Sequence, residues 1–308
     1  MDHASDGFGR YLSAKRSVDD RALNRHVLDA LRAELAKHSH RCLRIVEVGA
    51  GLGTMVARML DWRIVSRAEY LLLDVDEGLL VSAGAWLSAW ATARGLSAEH
   101  DGQALRIRGA PDLDVVVRFV TAELDDFLAR PRSLPAADLL VANAVLDLLD
   151  VPAVISRLFE LVSEGLYWFT LNFDGETIFE PAHPDDAVLL GAYHRSMDER
   201  VRDGRPSGDS RCGRHLFGHL AAAGATIVAA GASDWVVHPP GGGYAKDDAT
   251  LIGEILDTIG NELRRHPRVE AQRLDAWLAL RRGQLAQGRL VYIAHQLDFC
   301  GRAPGPRA

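Results

Sequence analysis

The stretch that decides the fold is Val46-Glu47-Val48-Gly49-Ala50-Gly51-Leu52-Gly53-Thr54. It closes a short apolar run, LRIVEV at 43–48, which stops at glycines and so reads as a buried strand. A helical pattern begins at Thr54. Glycines between a strand and a helix let the chain turn tightly and let a ligand approach where a Cβ would collide. A dinucleotide loop, G-x-G-x-x-G, would put its third glycine at position 54. Here 54 is Thr and the glycine comes one residue early. The spacing is G-x-G-x-G after an acidic residue, which counts against a nicotinamide cofactor.

Working outward, YLLLDV (70–75) is a second buried strand with Asp74 near its end, followed by an amphipathic helical stretch at 77–94. LRIRGAPDLDVVVRFV is expected to be a turn into a third strand at 114–120, DLLVAN (138–143) a fourth, and GLYWFTLNF (165–173) a fifth. Between the last two, Val151 to Val162 forms a helix with proline in its first turn. Strand–helix alternation of this kind implies an α/β, Rossmann-like, doubly wound and mostly parallel sheet with right-handed crossovers.

Upstream, Ser17 with Asp20 three residues on suggests a helix start, and Leu23, Val27, Leu28, Leu31 and Leu35 share one helical face. Residues 1–40 are therefore expected to form a helical cap and 41–308 the main domain. Residues 174–210 are rich in Asp, Pro, Gly, His and Arg, with one helix at 185–201, and suggest a lid inserted over the carboxyl edge of the sheet. A helix at 211–223, strand character at 225–237, helices at 247–264 and 268–285 and a last strand at 290–299 complete a sheet of about seven strands.

The glycine stretch resembles motif I of class I S-adenosylmethionine-dependent methyltransferases, with Glu47 in the acidic position and Gly49, Gly51 and Gly53 as the glycines. LLLDVDEGLL is similar to the family's second motif. The resemblance implies that the loop, Ala50 included, lies against the methionine part and ribose of the cofactor. It also implies that Asp74, with Val75 beside it, accepts the ribose hydroxyls. Asp76 is expected to cap the following helix. VRFVTAELDDFL resembles the segment near the adenine amine, with Glu123 where the family often has aspartate and Asp125 and Asp126 as rivals. DLLVANAVLDLLD looks like the fourth motif and places Asn143 and Ala144 beside the reactive methyl. The implied activity is methyl transfer from S-adenosyl-L-methionine, leaving S-adenosyl-L-homocysteine. A nicotinamide-dependent oxidoreductase and a non-catalytic S-adenosylmethionine-binding sensor or partner protein stay open as alternatives.

The acceptor is expected where ligands of open α/β sheets bind, at the carboxyl ends of the strands. Removing its proton calls for a base, and His194 in Tyr193-His194-Arg195 is the first candidate, with Asp147 next and His183, His215 and His295 behind. Tyr11, Lys15 and Arg16 suit a lid over the cofactor, though a solvated N-terminus explains them as well. Arginines at 195, 200, 202, 205, 211 and 214 suggest an anionic acceptor, but Asp198, Glu199, Asp203 and Asp209 alternate with them. A formal net charge of −7 and the lack of a basic, aromatic-studded run point to a small molecule rather than nucleic acid or a membrane. No short motif assigns acids to a metal, so none is expected. Cys42, Cys212 and Cys300 are scattered and fit reduced thiols in the cytoplasm. Lysine occurs at only three positions among many arginines, a hint of a G+C-rich bacterial genome.

Overall fold

A computed structural model describes residues 3–37, 41–102, 104–129, 136–162, 164–202 and 204–305. The expected boundary at residue 40, Asp203 and the Tyr11 side chain lie outside what is described. Helices α1 (His3–Ala22) and α2 (Arg25–Ala36) precede β1 (Leu43–Val48), α3 (Thr54–Asp61), β2 (Arg67–Asp74) and α4 (Glu77–Thr92). Then come β3 (Ser97–Asp101), β4 (Ala104–Gly109), β5 (Leu113–Thr121), α5 (Leu124–Ala129) and β6 (Leu139–Asn143). A 3-10 turn at Leu146–Leu148 leads to α6 (Val151–Glu160), β7 (Leu166–Glu180) and α7 (Asp186–Asp198). The chain continues through β8 (Val201–Arg202), β9 (Arg205–Pro206), α8 (Cys212–Ala222), β10 (Thr226–Ala232) and β11 (Trp235–Val237). It ends with α9 (Lys246–Leu263), α10 (Ala271–Ala286) and β12 (Val291–Arg302).

The main sheet runs β10-β12-β7-β6-β1-β2-β5-β4-β3, with β11 also paired to β12. Strands β5, β2, β1, β6 and β7 are parallel, and β12 and β10 join antiparallel. The strand order reverses between β1 and β6, so a crevice opens at their carboxyl ends. One apolar core lies between the sheet and α2, α3 and α4, a second between its other face and α6 and α8. A third unites α1, α7, α9 and α10 over the β7–β12 ribbon.

Three expectations need correction. Among the described residues the sheet has ten strands rather than about seven. The difference at the far edge is the hairpin β3–β4, whose β3 is largely exposed and polar and gives no apolar alternation to read. The strand expected to end at 173 continues as β7 to Glu180, into the segment expected to be a lid. Its polar second half pairs with Val291–Ala294 of β12, a partner far along the chain. Finally, the helix expected from Ser17 is two helices. Asn24 breaks the run, caps α2 by accepting from the Val27 amide at 3.1 Å, and gives its own amide to buried Asp298 at 2.8 Å.

Candidate functional site

The loop after β1 is built for close approach. Gly49 and Gly51 have φ of +63° and +51°, a region L side chains rarely enter. A Cβ on Gly49 would sit 2.5 Å from a Val145 methyl, whereas one on Gly51 would meet only the end of Leu12 at 3.2 Å. The Ala50 amide donates to Leu73 O at 3.1 Å, tying the loop to the end of β2. Asp74 completes the turn: one carboxylate oxygen accepts from the Gly51 amide at 2.7 Å, the other from the Asp76 amide at 3.0 Å. A carboxylate has about four acceptor positions, so each oxygen retains one for a ligand. Asp76 caps α4 by accepting from the Leu79 amide, as expected.

These residues face a cleft of about 250 Å³. Its floor is Gly49, Ala50, Gly51, Asp74 and Val75, and its far wall is Glu123, Leu124, Asn143, Ala144 and Val145. Leu12 and Lys15 of α1 close one side and Arg202 of the β8–β9 hairpin another. Ala144 also has a positive φ, +53°, and its amide donates to Thr170 O at 2.8 Å. The Thr170 hydroxyl donates to Asn143 Oδ1 at 2.8 Å and leaves the Asn143 amide group its freedom. Glu123 is half-exposed and bonded to Arg202 at 2.6 Å, so the inserted hairpin reaches the cleft. The hairpin is held further by Ser207 Oγ donating to Leu148 O at 2.9 Å and the Asp209 amide donating to Asp147 O at 3.1 Å.

Glu47 and Gly53 are not part of the lining. Glu47 lies beneath the loop, 1% exposed, and accepts from the Tyr70 hydroxyl at 2.8 Å. Burial pushes its carboxyl up to about 8, against the pull of the Tyr70 hydrogen bond and nearby Arg58. Gly53, at φ +66°, starts α3, and a Cβ there would press on Leu72 at 2.9 Å.

A buried polar network ties the cleft to α1, and the sequence pattern gives little sign of it. Arg58 of α3, 1% exposed, donates to Asp20 at 2.6 Å, Asp19 at 3.2 Å and Thr54 Oγ1 at 3.1 Å. Asp19 also accepts from Trp235 Nε1 at 3.0 Å and pairs with Lys15 at 3.4 Å. The sequence hint is the i, i+4 spacing of Lys15 with Asp19 and of Arg16 with Asp20 on a helix.

The base candidates part company. His194 Nε2 contacts Thr177 Oγ1 at 3.0 Å and its ring lies 5.3 Å from Phe173; it lines a separate hollow beside β7 and not the cleft. Burial lowers its pKa. Tyr193 is 9% exposed within the core shared by α1, α7 and α9, and burial raises its hydroxyl far above the ordinary value. Asp147, in the turn after Asn143, has a buried Oδ1 with no hydrogen-bond partner. Burial pushes its carboxyl up to about 6, opposed by its own amide and by the charges of Lys15 and Arg200. His215 pairs with Asp209 and His295 with Asp234, each at 2.7 Å, and His183 accepts from the Asp185 amide. Among the described residues no three His, Cys, Asp or Glu side chains gather as a metal site.

The chain has the Rossmann-like α/β fold that the class I methyltransferase resemblance implies, extended by a β3–β4 hairpin at one edge and an antiparallel ribbon at the other. No family model and no curated protein matches it. Several solved structures are similar in overall chain path. One is a cyclopropane-fatty-acyl-phospholipid synthase-like protein from Lactobacillus casei, 16% identical, covering 94% of this chain and 92% of that one at a TM-score of 0.49. Another is a putative sarcosine dimethylglycine methyltransferase from Galdieria sulphuraria, 14% identical, covering 90% and 84% at 0.40. A third is a mycolic acid cyclopropane synthase complexed with S-adenosylhomocysteine, 12% identical, covering 85% and 78% at 0.41. The reading of the cleft rests on this chain's own residues.

Proposed function

We propose that the protein transfers a methyl group from S-adenosyl-L-methionine to a small-molecule acceptor. The observation that carries this reading is the carboxylate of Asp74, fixed against the Gly51 amide at the end of β2, with a Cβ-free cradle beside it. A nucleoside's paired hydroxyls suit the two acceptor positions left on Asp74. The glycine loop would take the methionine part, Val75, Glu123 and Leu124 the adenine, and Asn143 and Ala144 the wall beside the sulfonium. Glu47 and Gly53 act from below by holding the loop in shape. The cofactor supplies an activated methyl on a positive sulfur. The chain's task is to hold the acceptor in line, exclude water and take up a proton.

A small acceptor fits a narrow cleft covered by α1 and a hairpin. No described helix is long and apolar enough to cross a membrane. Two of the three free cysteines are buried, which suits a reducing cytoplasm. Calorimetric titration with adenosylmethionine, adenosylhomocysteine and NAD tests the reading. Both sulfur compounds are expected to bind and NAD to show no heat of binding. Indifference to both sulfur compounds would sink it.

A further inference from the structure

The charged side chains that line the cleft are Lys15, Asp74, Glu123 and Arg202. Three of them are engaged at close range by the chain itself. Arg202 and Glu123 meet at 2.6 Å, and each Asp74 oxygen accepts from a backbone amide. Lys15 is the exception. It is 6% exposed, and among the described residues its ammonium has an ion pair and a ring face but no hydrogen bond. The ion pair, to Asp19, is 3.4 Å long, whereas a charge-assisted hydrogen bond measures about 2.7–2.9 Å. The same Asp19 oxygen is shared with Arg58 at 3.2 Å. The ring is Trp235, whose centre lies 5.7 Å from Lys15 Nζ. A buried ammonium with three N–H groups and no hydrogen bond is costly until an acceptor reaches it.

The place of Lys15 fixes where that acceptor must come from. Leu12, one turn earlier on α1, stands 3.2 Å from the position of a Gly51 Cβ, so this face of α1 covers the glycine loop. Asp19 can release Lys15 without becoming a lone buried charge, because Arg58 and Trp235 still donate to it.

We propose that Lys15 binds a carboxylate within the cleft and so selects ligands that carry one. The identity of the carrier rests on the methyltransferase reading. Two sources share this chemistry: the carboxylate that ends the cofactor's methionine part, on the glycine loop, and a carboxylate on the acceptor.

Calorimetric titration with adenosylhomocysteine and with its decarboxylated counterpart separates the two. If the carboxylate is the cofactor's, the wild type should bind adenosylhomocysteine at least about tenfold more tightly than the decarboxylated compound. Lys15→Met, similar in length and still apolar along its stem, should lose that preference. Lys15→Arg should keep part of it, and Lys15→Gln replaces the methionine variant if the latter does not fold. If the wild type shows no preference, the carboxylate is the acceptor's and acetate becomes the probe. With adenosylhomocysteine saturating, acetate should then raise the melting temperature above that in chloride of matched ionic strength, and raise it less in Lys15→Met. A preference that Lys15→Met retains in full would overturn the proposal. So would the absence of both a preference and an acetate response that depends on Lys15. Failure of adenosylhomocysteine to bind at all overturns the methyltransferase reading instead, and the acetate comparison on the free protein then decides the role of Lys15 by itself.

Discussion

The two walls of the cleft are assembled in different ways. On the β1–β2 side the hydrogen bonds are local: the loop turns within residues 49–53, and its anchor, Asp74, lies one strand–helix–strand unit away. On the sides formed by α1 and the β8–β9 hairpin the parts come from across the chain. Trp235 bonds to Asp19, 216 residues away, Asn24 to Asp298, 274 away, and Arg202 to Glu123, 79 away. The first wall is a motif, fixed by backbone geometry that only particular residues permit. The second is a set of side chains that tertiary packing brings together. A wall fixed by a motif facing a composite one is how a single fold can host different ligands.

Substitutions on the two walls should therefore differ in kind. The largest effect is expected from Gly51→Val. The left-handed φ and a branched side chain at the cleft floor oppose both the turn and the ligand, while the new Cβ meets only the movable end of Leu12. Adenosylhomocysteine binding should vanish by calorimetry while the circular dichroism of the folded chain is retained. Unaltered affinity would reduce the loop to a turn.

Next comes Asp74→Ala, which removes a charge-assisted hydrogen-bond acceptor worth about 1.5–3 kcal/mol. Affinity for the cofactor should fall about ten- to over a hundredfold. The Gly51 amide loses its partner as well, so Asp74→Asn, which keeps an acceptor oxygen, should lose less. Equal losses in the two variants would show that loop anchoring contributes nothing.

A third effect reports on the carboxyl buried under the loop. The Glu47 carboxyl is raised in the folded state to about 8 from an ordinary value of 4.5. The folded protein therefore holds a proton that the unfolded chain has released, and stability falls as pH rises between those values. The loss is complete above about 8, where both states are ionised. Glu47→Gln can still accept from Tyr70, so it should match the wild type near pH 4.5 and gain on it by up to about 1.4 kcal/mol per pH unit towards pH 8. Urea melts across that range check it. Parallel stability curves for the two proteins would mean that Glu47 is ionised in place.

The smallest effect is expected at His194. Its ring is turned to Thr177 and Phe173, away from the cleft, so His194→Ala should change cofactor affinity by less than about twofold. A large loss would join the hollow beside β7 to the cleft and blur the distinction between the walls.

How much of this was legible in the sequence follows the same division. Strands β1, β2, β5 and β6 announce themselves as apolar runs, and the glycine loop and Asp74 stand at the ends of the first two. The continuation of β7 was hidden: DGETIFE at 174–180 is polar enough to pass for a loop and is a strand only because β12 pairs with it. His194 sits on the helix the sequence suggested, but helical periodicity does not say which face meets the sheet. Packing of Leu189, Leu190 and Tyr193 into the core turns His194 toward β7. Asp147 was visible as a residue, yet its lack of a partner shows only once the surrounding chain is in place.

Amide hydrogen exchange with and without adenosylhomocysteine puts the cleft itself to the test. Added protection should concentrate in 49–54, 73–76, 122–124 and 143–149, the segments that line it, and leave 183–198 unchanged. Protection centred on 183–198, or none at 49–54 and 73–76 under saturating ligand, would contradict the assignment of the cofactor to the crevice between β1 and β6.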